Sequence, residues 1–366
     1  MAASAASAAS VDSAASTLTV ASDGSAGFRT IGAALDALMA RDDGLTPATI
    51  RIAPGEYRER LTIRRPNVTL EAASLPDDGD ARDGVPRDGD VRVASGLGGF
   101  MPSPDGQGDR LGTFRTATVF VDAHDVTLRG LTIVNDAGPG EEVGQAIALY
   151  ADGDRILVED CVLLGHQDTL FTGPLPPREI EPGGFVGPKR LAPRAVGRQC
   201  YRRCLIAGDV DFIFGSARAW FEDCEIRSVG PGYVTAASTP QGEPYGYVFD
   251  HCRFTAATPR DAGCAGKGTR TFGALVPDGS VAIGRPWRDW ARTVLVDCEL
   301  GAHIRVDGWD DWGKSGARAH SCYAAIDPVG PGAAPMAWPR WVHTLDEGDR
   351  ARFARDAVLD GWRPGR

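Results

Sequence analysis

The stretch Gly208-Asp209-Val210-Asp211-Phe212-Ile213-Phe214-Gly215 sets two carboxylates among large apolar side chains. Read as an extended strand, it sends Val210, Phe212 and Phe214 to one face and Asp209 and Asp211 to the other. An acid is then held on a rigid surface backed by apolar bulk. Upstream, Gln167-Asp168-Thr169-Leu170-Phe171 offers a second carboxylate beside an amide, and downstream Gly284-Arg285-Pro286-Trp287 puts a cation next to a flat ring. Neighbouring carboxylates push their pKa values apart, so one can attack while the other carries a proton. Amides donate to a developing oxyanion, a guanidinium orients a carboxylate, and an indole can stack on a sugar. These are the parts of a carbohydrate-processing site. Singly, each has a bland role as well: Asp211 as a turn residue, Arg285 and Trp287 as a surface cation–π pair, and Gln145, a further amide set between small residues, as a partner for backbone groups. Asp209 is expected to be solvated or to support its neighbours.

The elements that must position these residues show as a repeat. Five of the eight cysteines share one frame: Glu159-Asp160-Cys161, Arg203-Cys204, Glu222-Asp223-Cys224, Asp250-His251-Cys252 and Asp297-Cys298, each followed by apolar residues. Twenty residues separate Cys204 from Cys224, and forty-three separate Cys161 from Cys204. The longer step spans either two turns of a repeat or one turn with an insertion. Gly173 to Arg194, rich in Pro and Gly, is that insertion. Segments such as Pro66-Asn67-Val68-Thr69-Leu70 and His124-Asp125-Val126-Thr127-Leu128 echo the frame without cysteine. Short β-branched strands at twenty-odd-residue spacing, with few helical patterns between, predict an all-β, right-handed parallel β-helix with short capping helices. Phe28 to Leu38 has the helical apolar spacing to cover one end, and Leu345 to Trp362, with Phe353, Val358 and Leu359, to lie on the C-terminal part. Residues 17–366 read as a single domain after a disordered Ala/Ser-rich tail over 1–16. The cysteines lack paired C-x-x-C spacing, so buried thiols, one per structural unit, explain them better than metal or disulfides.

The 366 residues can bury a large core, and 43% hydrophobic content with 46 glycines fits a turn-rich globular chain. A formal charge of −10 argues against nucleic acid as a partner, and a polyuronide would be repelled unless its carboxyls were esterified. No apolar run reaches membrane-spanning length. Met1 to Ser16 lacks the basic and leucine-rich regions of a secretory signal, which implies a cytoplasmic protein as written, or a secreted one if that end was processed or replaced. Gly308 to Ser315 spells a phosphate-loop pattern, but two acids and two indoles fill it and no amphipathic helix follows, so nucleotide binding is not expected. There is no G-x-S-x-G elbow and no H-E-x-x-H. Neither metal nor cofactor is implied.

The motifs resemble those of the pectin methylesterases (pectinesterases), whose signatures G-x-V-D-F-I-F-G, Q-D-T-L, G-R-P-W and G-Q-A-x-A-L match Gly208–Gly215, Gln167–Leu170, Gly284–Trp287 and Gly144–Leu149. The likeness runs from about Phe28 to Trp312 and is to a bacterial-type form with an insertion between the two aspartate segments. It implies Asp211 as nucleophile and Asp168 as general acid/base. It implies Gln145 and Gln167 as oxyanion donors, Arg285 as the residue holding the nucleophile, and Trp287 as a substrate-contacting ring. His166, where the family often has tyrosine, is a further expected contact, with Phe171 and Phe212. The substrate would be pectin or oligogalacturonide methyl esters, and the protein a monomer. A polysaccharide lyase or glycosidase on the same fold remains the alternative, although neither calls for two glutamines. A non-catalytic binding module would be expected to lose key residues, and none is lost. The insertion is expected to wall one end of the groove, with Phe185 touching sugar and Lys189 or Arg190 facing uronate carboxylates, and to hold few core positions.

Overall fold

A computed structural model describes residues 16–41, 44–74, 89–104, 106, 109–258 and 276–365. Of the tail expected over 1–16, Ser16 belongs to the first strand, Ser16–Val20, and the others lie outside the described residues.

The chain winds as a parallel β-helix. Among the described residues eleven strands form one sheet in sequence order, skipping those that belong to a second sheet, so successive coils stack directly on one another. Register makes one interior ladder from alternate residues: Leu18, Ile50, Leu70, Leu128, Val158, Tyr201, Phe221, Phe249 and Leu295. All are buried in a single core. No coil could bury this face alone, which is why the fold depends on stacking. Midway, the rungs become rings, with Phe221 stacked on Tyr201 at 4.8 Å and on Phe249 at 4.4 Å.

The cysteine frame has a backbone cause. Asp160, Arg203, Asp223, His251 and Asp297 all take left-handed φ between 50° and 53° at the corner where the chain leaves the first sheet. Asp tolerates that region better than most residues, so it recurs there. The cysteine that follows turns inward, and its thiol donates to a carbonyl one coil back. Cys204 Sγ reaches Val158 O, Cys224 Sγ reaches Tyr201 O, and Cys298 Sγ reaches Phe249 O, each at 3.4 Å. All five thiols are free and buried, as the repeat implied.

Ile156–Glu159 pairs directly with Arg198–Arg202, so the step of forty-three residues is one coil with an insertion. The helix Ile31–Arg41 buries Ile31, Ala34, Leu35 and Leu38 against the core. At the other end only short helical turns form, Glu347–Phe353 and Arg355–Val358. They press Phe353, Val358 and Leu359 onto the outer face of the first sheet, over Trp220, Val248 and Val294. No helix among the described residues is long and apolar enough to cross a membrane.

Candidate active site

The second sheet carries the site. Strands Leu149–Ala151, Leu170–Thr172, Leu205–Gly215, Glu225–Ala237 and Val281–Gly284 run parallel, with Leu149, Leu170, Ile213, Thr235 and Gly284 in one register. Asp168 and Asp211 each stand two residues ahead of that register, and Arg285 stands one beyond it. Register alone therefore delivers both acids and the guanidinium to one place.

The strand does not alternate as its sequence suggests. Its pairing slips between Gly208 and Val210 and again between Val210 and Ile213, and Asp211 adopts φ 51°. The irregularity turns Phe212 into the interior core, while Phe214 joins an outer aromatic cluster. The expectation that Val210, Phe212 and Phe214 share a face fails for this reason: a bulge breaks the two-residue period. It also parts the two acids. Asp211 opens to the groove, whereas Asp209 accepts a bond from the His166 ring at 2.9 Å.

Arg285 grips Asp211 in a fork, Nε to Oδ1 at 2.8 Å and Nη2 to Oδ2 at 2.7 Å. The guanidinium is itself sandwiched, with Tyr233 at 3.8 Å and Trp312 at 3.7 Å. Such a planar, bidentate cation fixes the direction of a carboxylate as well as its charge. Burial pushes the Asp211 carboxyl above the ordinary range while the bonds from Arg285 pull it back. Asp168 is buried with no comparable partner among the described residues, and its carboxyl is driven well above the usual range by burial first and then by the charge of Asp211. The proton of this pair therefore rests on Asp168, and the charge on Asp211.

These groups line an open groove of about 550 Å³ together with Gln145, Gln167 and Trp287. Neither glutamine carboxamide bonds to another described residue, and both line the groove. Gln167 lies so close to Gly140 that a Cβ there would meet its Oε1 at 2.3 Å. That glycine, in the turn Gly140–Val143, lies outside every signature, so no sequence pattern marks it.

Trp287 stands half-buried in the groove wall beside Phe185, Phe114 and Phe214. Three expected contacts take other roles. Phe171 and Phe212 are fully buried, one under the outer aromatic cluster and one in the interior, so they back the wall and meet no sugar. His166 is buried against Asp209 and does not line the groove. In the phosphate-loop look-alike, Trp309 packs on Tyr323 at 4.6 Å and Lys314 donates to the carbonyls of Pro286 and Trp287. No cradle of backbone amides forms.

The insertion walls the groove through Ile180, Glu181, Gly184 and Phe185. Its cations are spent elsewhere. Lys189 pairs with Asp122 at 2.6 Å and Arg190 with Glu179 at 3.1 Å, so neither faces the groove as expected. Leu175 and Phe185 are buried in the aromatic cluster, so the segment contributes more to packing than its composition suggested.

The Pectinesterase family model matches residues 98–174 and 194–361, and the unmatched gap falls within the insertion. The chain belongs to the pectinesterase family. Pectinesterase A of Emericella nidulans is 32% identical over 311 residues, covering 85% of this chain and 78% of that protein. Among solved structures, the pectin methylesterase of Erwinia chrysanthemi aligns with a TM-score of 0.69 at 26% identity, over 95% of this chain and 98% of its own. A pectin methylesterase solved with a hexasaccharide aligns at 0.70 and 26% identity, with the same coverage. As a pectinesterase the chain is a carboxylic ester hydrolase.

Proposed function

We propose that this chain removes methyl esters from the galacturonate units of pectin or its oligomers, giving free carboxylate and methanol. One observation carries the reading of its chemistry: a carboxylate forked by arginine lies beside a second carboxyl that keeps its proton, with two uncommitted amides in the same groove. One residue attacks, one donates a proton, and two hold the oxyanion. The reading needs one copy of one domain, residues 17–366, acting as a monomer. The relative solved with a hexasaccharide supports an oligosaccharide ligand.

Asp211 attacks the ester carbonyl carbon with a carboxylate oxygen whose remaining lone pair is not used by Arg285. The carbonyl oxygen takes the negative charge and is met by the Gln145 and Gln167 amides. As the tetrahedral centre collapses, the methoxy oxygen takes the proton of Asp168 and methanol leaves, with the galacturonyl group now an anhydride on Asp211. Asp168, now charged, removes a proton from water, whose oxygen attacks the acyl carbon. The acyl–Asp211 bond breaks to release galacturonic acid, which gives its proton to solvent and becomes the free carboxylate; Asp211 is regenerated and Asp168 again holds a proton. Arg285 keeps Asp211 ionised between turnovers, against burial that favours the neutral acid.

The deciding experiment incubates the purified protein with highly methylated pectin and follows methanol, reducing ends and unsaturated uronates separately, before and after exhaustive chelation. Methanol alone, at an unchanged rate after chelation, is expected. New chain ends, or activity restored by calcium, would replace this reading with a depolymerising one.

A further inference from the structure

Two polar residues stand behind the acids of the groove without lining it. His166 lies two residues before Asp168, and Asp209 lies two before Asp211. The His166 ring reaches from one coil to the next, its Nδ1 bonded to Asp209 Oδ2 at 2.9 Å. A carboxylate only accepts, so Nδ1 carries the proton of that bond. The other Asp209 oxygen accepts the Val210 N–H at 2.7 Å. Main-chain bonds lace the same two segments: Asp209 N–H donates to His166 O at 3.2 Å, and Asp168 N–H donates to Val210 O at 3.1 Å. Asp209 sits at the first slip of the bulge, between Gly208 and Val210, that turns Asp211 into the groove. Close packing holds the bulge from both sides. A Cβ on Gly208 would meet His166 O at 2.6 Å, and one on Gly232 would meet Asp209 O at 2.3 Å.

The charge of Asp209 is a separate observation. Among the described residues it has no arginine or lysine in ion-pair contact, unlike Asp154, Glu159 and Asp297. A third carboxylate near two others makes each harder to ionise, and an asparagine would satisfy the same neighbours without that cost. We infer that His166 and Asp209 are a positioning pair, whose bond across the coils holds the bulge where Asp211 and Asp168 meet the same ester. The inference rests on the ester-hydrolysis reading above, in which those two acids attack and donate. The charge has its own part. Asp168 is faced by Asp211 and Asp209 from the strand Leu205–Gly215 and by Arg285 from beyond Val281–Gly284; the two carboxylates favour its protonated form and the guanidinium opposes them. Once Asp211 is acylated its charge is gone, and Asp168 must then take a proton from water. Asp209 is the carboxylate that keeps Asp168 basic at that step.

The test follows methanol release from a methyl-esterified oligogalacturonate across pH. His166→Phe keeps the bulk and removes the donor, and it should lower kcat about 10- to 100-fold while KM moves less than about threefold. His166→Asn returns an N–H near the place of Nδ1 and should recover most of that loss. Asp209→Asn keeps partners for Val210 and for the imidazole, whose proton moves to Nε2, and removes only the charge. Its alkaline limb in kcat should therefore move to lower pH, by about half a unit or more. A lower thermal midpoint in His166→Phe with kcat unchanged would make the pair a packing contact and overturn the inference. An alkaline limb left in place by Asp209→Asn would overturn it as well, and that variant decides alone should His166→Phe fail to fold. Both outcomes leave the esterase reading standing, whereas absence of methanol from the wild type would overturn that reading itself.

Discussion

Asp168 and Asp211 occupy equivalent places on adjacent coils: each stands two residues before a paired position, Leu170 opposite Ile213, and each has a left-handed backbone, φ 68° and 51°. The Asp168 N–H also donates to Val210 O at 3.1 Å. Forty-three residues and a long insertion separate the two acids in sequence. Coil stacking brings them together regardless, because the insertion leaves and re-enters at fixed rungs. The left-handed conformation explains why aspartate can stand at both places without Gly-like freedom.

That conformation decides how Asp211 should be tested. Asp211→Asn keeps the shape and an αL-tolerant residue but also takes the carboxylate from Arg285, so it should lose up to about 3 kcal/mol while staying folded, and methanol release should fall by at least about 10³-fold. Asp211→Ala should be worse for stability, because it strains the backbone as well. Urea denaturation beside single-turnover assays would check both. An active Asn variant would remove Asp211 from the role of nucleophile.

The pH profile should be a bell. In the proposed mechanism attack requires Asp211 ionised, so the acid limb follows protonation of a carboxyl that burial has raised and Arg285 has partly restored. Departure of methanol requires Asp168 protonated, so the alkaline limb follows loss of a proton that burial and Asp211 hold well above the usual range. In Asp168→Asn the residual rate should lose its alkaline limb and keep the acid one. A profile of unchanged shape in that variant would assign the alkaline limb to another group.

Signatures marked residues that the fold gathers in one groove, and periodicity carried the fold, but at different grain. The corner Asp–Cys frame was legible because one backbone requirement recurs on every coil, and its φ values explain why. The face of Phe212 was not, because a bulge shifts the register at the very residues whose alternation was being read. Phe171 looked like a contact through its neighbours in the motif, yet side-chain direction placed it beneath the wall. Tyr233 and Lys314 could not be found from sequence. Each reaches Arg285 or its flanking segment from a distant rung, and no local pattern marks such contacts.

Gly140 is the clearest such residue to test. A methyl at 140 would collide with Gln167, at 2.3 Å from Oε1 and 2.7 Å from Cβ. Gly140→Ala should therefore displace the amide and lower kcat by about tenfold or more, approaching the roughly 10²–10³-fold expected for Gln167→Ala, with a smaller change in KM. The contact with Gln167 Cβ cannot be relieved by rotating the carboxamide, so the thermal midpoint should fall as well. An unchanged kcat would show that Gln167 donates nothing in the transition state.

Replacing the insertion with a Gly/Ser linker should lower stability, contrary to what its composition suggests, because Leu175 and Phe185 leave the aromatic cluster. The single change Phe185→Ala should raise KM for long pectin and cost about 3 kcal/mol, since the ring packs on both Phe114 and Trp287. Calorimetry and kinetics on polymer against short oligomers would separate the two effects. A stability loss with identical kinetics would make the loop a packing element only.

The anchor of the insertion gives the last prediction. Asp152 is buried beside Gly173, with Lys189 Nζ 3.9 Å away, and its carboxyl is raised from 3.8 to about 6, chiefly by burial. The folded state thus holds a proton that the unfolded chain releases near pH 4. Between those values the native state binds more protons, so stability falls as pH rises toward 6 and then levels off. Asparagine mimics the protonated acid at every pH. Asp152→Asn should match the wild type at pH 4 and exceed it at pH 8, by at most about 3 kcal/mol. Lys189 keeps its bond to Asp122 in the variant, so the insertion stays tied down. Urea midpoints at pH 4, 6 and 8 would trace the divergence. A variant less stable than the wild type at pH 8 would mean that the attraction of Lys189 for an ionised Asp152 outweighs the cost of burying its charge.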